Sequence, residues 1–242
     1  MRLLITRPEE DAQPLARALK KRGHETIIEA LMIINNVAAP NLKISGVQAL
    51  LITSANGIRA FARVNVERNI QVCAVGDASA RTACNLGFKK VRSAAGDVET
   101  LATMVKNNLD PADGALLHIA GSYHAGDLAK LFTGCGFKTK RTVLYEAQEV
   151  RKLSPSTRRA LKKQIIDGVL FFSPRTAELF CRLINESTLI KQYNSLTAYC
   201  LSTAVANAAS ELPWASIIVA KNPDSQSLLD AIEQKNTGMR NF

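Results

Sequence analysis

The sequence predicts an α/β protein of two similar domains, each an open parallel sheet covered by helices on both faces. Three observations predict it. Short apolar runs recur along the chain without the alternation of half-buried strands. Stretches with helical spacing lie between them. The whole order of segments then occurs a second time. Continuous apolar strands separated by amphipathic helices are the pattern of a parallel sheet buried on both faces.

The predicted strands are Leu3–Ile5, Ala49–Ile52, Val72–Val75, Ala115–Ile119, Val169–Phe172, Ala198–Leu201 and Ile217–Ala220. Helical spacing is carried by Leu15, Ala18 and Leu19 after the first of these, and by Leu101, Met104 and Val105 after the third. The duplication reads as follows. LLITRPEEDAQPLARALKKRGHETIIEAL resembles LLHIAGSYHAGDLAKLFTGCGFKTKRTVLYEA about 113 residues later, Gly23 matching Gly136. ALLITSANGIRAF resembles VLFFSPRTAELF, Ser54 matching Ser173, and QVCAVGDASARTA resembles AYCLSTAVANAA, Gly76 matching Ser202. AAGDVETLATMV resembles AKNPDSQSLLDAI, Asp97 matching Asp224. Units of this length are duplicated domains rather than solenoid repeats.

The strand ends share a chemistry. Thr6, Thr53–Ser54, Gly76–Asp77, Gly121–Ser122, Ser173–Pro174 and Ser202–Thr203 each follow a predicted strand and precede a predicted helix. Such residues cap helices and leave backbone N–H groups pointing outward. Open parallel sheets bind ligands at this edge, where helix dipoles favour anions. Any single loop of this kind is explained by capping alone; six of them on a basic chain point to an anion-binding cleft.

The 242 residues suit two domains, and a hydrophobic content of 47% lets each build a core. With aromatics at only 5%, those cores are aliphatic. The formal charge of +10 is spread as +1 over residues 1–35, +5 over 36–148 and +4 over 149–242. No basic tail concentrates it, which suits a positive field over a cleft for an acidic ligand. The five cysteines are odd in number and widely spaced, giving neither a disulfide framework nor a zinc site. MRLLITRPEE turns acidic too early for a signal peptide, and no run approaches the ~20 apolar residues that span a bilayer. The chain therefore reads as soluble, reduced and cytoplasmic, without membrane association.

Several motifs are set aside. Val75–Ser79 (VGDAS) lacks the glycines of a dinucleotide fingerprint, and there is no phosphate-binding GxxxxGK[ST] loop. GxSxG is absent, so a serine hydrolase is not indicated. His118 and His124 have no acidic or cysteine partner spaced to complete a metal site, and His24 sits in a predicted turn. Arg151–Lys163 is the best nucleic-acid candidate, but reads better as a helix capped by Ser154, with Pro155 in its first turn and Arg158, Arg159, Lys162 and Lys163 on the wet face. No cofactor and no metal are expected. Tyr145, near the end of the run Thr142–Glu146, reads as a packed ring with a solvated hydroxyl, or, if it faces a ligand cleft, as a neutral proton donor near pH 7.

Taken in order, LLITRPEEDAQPLARALKKRGHE, LLITSANGIRAF, VCAVGDASARTACNLGF with AAGDVETL, TVLYEA, FFSPRTAELF and CLSTAVANAA resemble the uroporphyrinogen-III synthase family over nearly the whole chain. The resemblance implies flavodoxin-like domains in which the first strand–helix unit of each repeat crosses to the other domain. Residues 1–35 plus 149–242 would form one domain and 36–148 the other, joined by two linker strands near Ile33–Val37 and Gln148–Lys152. It further implies a monomeric lyase that closes hydroxymethylbilane, a linear tetrapyrrole bearing acetates and propionates received from hydroxymethylbilane synthase. Loss of hydroxide leaves an azafulvene; the last pyrrole attacks through its substituted carbon, forms a spiro intermediate and closes inverted, giving uroporphyrinogen III.

By position, the resemblance makes Tyr145 the group that assists hydroxide departure. It places Thr6, Arg7, Thr53, Ser54, Gly76, Ser79, Gly121, Ser173, Ser202 and Thr203 along the substrate. Ser79 stands where threonine is frequent in the family. Pro213–Trp214 stands where many members carry glycine and a small residue, implying a different turn. The residues taken alone leave two other readings open: a non-catalytic two-domain sensor for an anionic small molecule, and a nucleic-acid binder.

Overall fold

The structure is a computed structural model that describes residues 1–39, 42–123, 128–132, 134–187 and 195–239. In chain order its elements are β1 (Arg2–Ile5), α1 (Glu9–Lys21), β2 (Glu25–Ile28), β3 (Met32–Asn36), β4 (Val47–Ile52), α2 (Ala55–Val64), β5 (Gln71–Ala74), α3 (Asp77–Asn85), β6 (Lys90–Ser93) and α4 (Val98–Asn108). There follow β7 (Ala115–Gly121), β8 (Thr139–Glu149), α5 (Pro155–Lys162), β9 (Gly168–Phe171), α6 (Pro174–Asn185), β10 (Thr197–Cys200), α7 (Thr203–Ala209), β11 (Ser216–Val219) and α8 (Ser225–Met239). Short 3-10 turns flank β7, at Pro111–Asp113 and Leu128–Phe132.

The chain divides into two compact units, residues 1–33 with 148–242, and residues 34–147. The first holds a sheet ordered β11-β10-β9-β1-β2, parallel at every pairing. Its strands alternate between two cores. Leu4, Val169, Phe171, Ala198 and Cys200 face α5, α6 and α7. Leu3, Ile5, Leu170 and Tyr199 face α1 and α8. Burial on both faces explains why these strands read as unbroken apolar runs. Helix α1 presents Ala12, Leu15 and Leu19 to its core, and its acidic first turn and basic last turn match the helix dipole.

The other sheet is ordered β3-β8-β7-β4-β5-β6. Leu50, Ile52, Val72, Leu117 and Ile119 pack on one face with α2 and α3. Ala49, Leu51, Cys73 and Leu116 pack on the other with α4 and the Leu128–Phe132 turn.

The matched positions of the two repeats occupy matching places. Gly23 and Gly136 both turn the chain into an arriving strand with φ +79, a conformation open to glycine. Ser54 and Ser173 cap α2 and α6, and Gly76 and Ser202 stand at the caps of α3 and α7. Asp97 caps α4, and Asp224 accepts from the Ser227 amide at the start of α8. The segment after Gly121–Ser122 is expected to begin a helix like α1; the start of that helix at residues 124–127 lies outside the described residues, and Leu128–Phe132 form a 3-10 turn.

All five cysteines are free thiols. Burial pushes the Cys73 thiol up to about 11, against a smaller opposing effect of Arg92, and pushes Cys181 and Cys200 up to about 12. Only the thiolate is nucleophilic. In the folded protein a thiol-specific disulfide reagent at pH 8 is therefore expected to titrate the exposed Cys84 and Cys135 quickly, the other three only on denaturation. Rapid reaction of a third thiol would contradict the packing.

Candidate functional site

The residues singled out from the sequence gather at the carboxyl edges of the two sheets. In the six-stranded sheet, β8, β7, β4 and β5 are successive neighbours, so Tyr145, Gly121, Thr53–Ser54 and Gly76 follow one another along one edge. Ser54 is extended and accepts the Gly57 N–H at 3.3 Å, capping α2. Its hydroxyl also lies 2.8 Å from the Tyr145 hydroxyl. Tyr145 belongs to β8, two strands from β4, so its ring crosses the end of β7 to reach Ser54.

Gly121 makes that crossing possible. A Cβ at this position would lie 2.8 Å from Tyr145 Cζ and 3.1 Å from its hydroxyl oxygen. The register supplies the rest. Ala120 pairs with Val143 but Gly121 pairs with Tyr145, so Leu144 is an extra residue in β8. Successive strand residues normally point to opposite faces. Here the bulge lets both Leu144 and Tyr145 pack against the core beneath α2 and α3. The Gly121 carbonyl accepts from Arg141 Nη2 at 2.7 Å, and the Ser122 N–H donates to the Tyr145 carbonyl at 2.9 Å. Further along, Gly76 stands at the head of α3 without a side-chain cap, and Ser79 is buried in that helix's first turn. Thr53 is exposed.

In the five-stranded sheet the neighbours β10, β9 and β1 bring together Ser202–Thr203, Ser173 and Thr6–Arg7. Ser173 accepts the Thr176 N–H at 3.2 Å and lies 2.7 Å from the Thr176 hydroxyl. Ser202 accepts the Val205 N–H, and Thr203 is the exposed first residue of α7. The Arg7 guanidinium pairs with Asp11 at 3.0 Å and lies over the Phe172 ring, 4.5 Å from its centroid. Near α6, burial works against ionising Glu149, but hydrogen bonds from Arg182 and Arg175 outweigh it and hold the carboxyl below the usual range.

Thr6 departs from the capping expectation. It is fully buried and donates its hydroxyl to the Leu170 carbonyl at 2.7 Å, while the cap position of α1 is Pro8 with no side-chain bond. Arg141, Phe172 and Thr176 support the edge residues without having drawn notice in the sequence. No local signal marks Arg141, because its bond to Gly121 depends on the β7–β8 pairing. Among the described residues no cluster of three His, Cys, Asp or Glu side chains could hold a metal ion, and His124 lies outside the described residues. Nor is any described helix long and apolar enough to cross a membrane.

The family model of uroporphyrinogen-III synthase HemD matches residues 13–230. The chain belongs to the uroporphyrinogen-III synthase family. A porphyrin biosynthesis protein HemD of Ruminiclostridium josui is 23% identical over 96% of the chain. The chain spans about half of that relative's length, 48%. Uroporphyrinogen-III synthetase of Helicobacter pylori 26695 superposes with a TM-score of 0.65 at 18% identity, over 97% of this chain and 99% of that one. A mutant uroporphyrinogen III synthase of the extremely thermophilic bacterium Thermus thermophilus superposes with a TM-score of 0.58 at 14% identity, over the whole of both chains. At such identities these likenesses establish the mixed α/β fold with two sheets. The turn at Pro213–Trp214 has a visible use. Trp214 stacks on Phe180 at 5.9 Å, meets Phe171 edge-on at 5.7 Å and donates its indole N–H to the Ala209 carbonyl.

Proposed function

We propose that this chain is a uroporphyrinogen-III synthase, a lyase that cyclises hydroxymethylbilane with loss of water and inversion of the terminal pyrrole. The observation that carries the proposal is the family match over residues 13–230, joined to the Tyr145–Ser54 pair at a sheet edge. In this reading the two compact units are flavodoxin-like domains joined by a two-stranded linker. The enzyme acts as a cytoplasmic monomer and receives its substrate from hydroxymethylbilane synthase.

The hydrogen-bond order at Ser54 suits a proton donor. Ser54 Oγ accepts from the Gly57 N–H, and in its 2.8 Å pair with Tyr145 either hydroxyl can donate; in this scheme Ser54 donates to Tyr145. The phenol proton is then available to the departing hydroxide, and a chain of bonds aligned this way strengthens its last donor. The C–O bond of the hydroxymethyl group breaks as a pyrrole nitrogen lone pair expels hydroxide, leaving the azafulvene. Attack through the substituted carbon of the last ring, fragmentation and reclosure then give the inverted macrocycle, with loss of a proton. Serine and threonine hydroxyls and helix N-termini at the sheet edges hold substrate carboxylates. The contribution of the protein is mainly positional: it folds the chain so that the substituted carbon attacks. Neither a metal nor an organic cofactor takes part in this scheme.

The deciding experiment incubates the protein with freshly prepared hydroxymethylbilane and resolves the product isomers. Excess isomer III over the spontaneous, uninverted isomer supports the assignment. Only the uninverted isomer, with tight binding of the tetrapyrrole, would favour the non-catalytic sensor. Replacing Ser173 by alanine is expected to cost about 1 kcal/mol of stability through the lost cap. It should raise KM modestly and leave kcat unchanged, because neighbouring N–H groups still hold the carboxylate. Urea denaturation and steady-state kinetics check both parts.

A further inference from the structure

The basic stretch set aside in the sequence borders a groove that the proposed reaction does not use. Helix α5, the residues before it and the last turn of α6 enclose a cavity of about 450 Å³. Its floor is apolar, formed by the buried Leu153 and Leu183. Among the described residues its walls carry Arg151, Lys152, Arg158, Arg159 and Lys162 against one carboxylate, Glu186. None of the five cations has an ion-pair partner among the described residues. The nearby carboxylates are engaged elsewhere: Glu149 with Arg175 and Arg182, and Asp167 with the Arg2 amide.

The usual reasons for surface cations do not account for this set. Arg159 and Lys162 complement the carboxyl end of the α5 dipole. Arg151 and Lys152, however, stand before its amino end, where the dipole is already positive. Arg158 and Lys162 are like charges at i, i+4, a spacing that is mildly destabilising on a helix. The α5 N-terminus itself is not the ligand site. Glu29 fills it, accepting hydrogen bonds from the Ser154 N–H and hydroxyl and from the Thr157 hydroxyl. The positive charge therefore faces the side of the helix and the groove.

We propose that this groove is a binding site for a compact oligophosphate anion. Three guanidinium forks and two ammonium groups match a ligand whose charges sit on adjacent tetrahedral centres. The volume falls within the range of small-ligand sites, about 300–1,000 Å³. Among the described residues the lining contains no aromatic ring on which a nucleobase could stack. The groove also adjoins the end of α6 opposite Ser173, about 18 Å along the helix at 1.5 Å per residue. It is therefore separate from the residues assigned to the tetrapyrrole, and the inference does not depend on that assignment.

Calorimetric titration of the full chain with inorganic tripolyphosphate, in about 0.15 M salt to screen diffuse charge, tests it. Saturable binding is expected. Arg158→Ala, Arg159→Ala and Lys162→Ala together should weaken it by at least about tenfold, three charge-assisted contacts being lost. Arg151→Ala with Lys152→Ala should weaken it as well. All five residues are exposed, so the variants should melt like wild type. The charge-matched change of Arg17, Lys20 and Lys21 to alanine on α1 should leave binding intact, and formation of isomer III should be unaffected in every variant. Absent binding to wild type, or equal weakening by the α1 variant, would overturn the site. Citrate binding more tightly than tripolyphosphate would overturn the phosphate assignment. Tighter, length-dependent binding of duplex DNA, lost in the same triple variant, would replace it with a nucleic-acid interface.

Discussion

Changing Tyr145 to phenylalanine is expected to slow turnover by about 10²-fold, the low end of what general-acid assistance supplies. The low end applies because pyrrole nitrogen lone pairs already expel the hydroxide, and a water molecule can take the place of the phenol in part. The loss should fall on kcat with KM little changed, since a hydrogen bond to the leaving oxygen strengthens only as the C–O bond breaks. Folding should survive. The ring is retained, its packing beneath α2 and α3 is unaltered, and Ser54 keeps its bond from the Gly57 amide. The lost hydroxyl pair is worth about 0.5–1.5 kcal/mol in a thermal or urea melt. Wild-type kcat in a folded Tyr145→Phe protein would reduce the residue to a packing role and remove the one chemical group in the scheme, while leaving the family intact.

The architecture was legible where burial leaves a continuous apolar record. β9 and β10 are buried at every position, and their runs stand out in the sequence. β3 (MIINN) and β6 (KVRS) do not, because both lie at sheet edges with much of their surface wet. The caps at Ser54, Ser173 and Ser202 were legible for a local reason: an extended serine before a helix satisfies an amide three residues on. Thr6 shares their composition but has another duty. Its hydroxyl serves Leu170, 164 residues away, and nothing near Thr6 announces that β1 lies beside β9. Likewise Tyr145 could be noticed as a polar ring near a strand end. Its partner Ser54 and its clearance over Gly121 exist only once β8, β7 and β4 are neighbours.

That clearance yields the second large effect. In the sequence Gly121 reads as part of an anion-binding loop; in the structure it is the gap through which the Tyr145 ring passes. Gly121→Ala should therefore lower kcat about as much as Tyr145→Phe, although no hydroxyl has been removed. An alanine Cβ would stand 2.8 Å from Tyr145 Cζ and 2.9 Å from Cε2, so something must move. The backbone resists, because Arg141 holds the Gly121 carbonyl and the Ser122 amide holds that of Tyr145. The ring yields instead, and its hydroxyl leaves Ser54. Crowding of this kind costs about 1–3 kcal/mol in stability, which a melt would register. The decisive measurement is the double variant. If glycine acts only by seating the tyrosine, Gly121→Ala with Tyr145→Phe should lose little more kcat than either change alone, since both remove the same interaction. Losses that multiply would mean that the two residues act separately. A raised KM with unchanged kcat in Gly121→Ala would return this glycine to the anion-binding role that its loop composition first suggested.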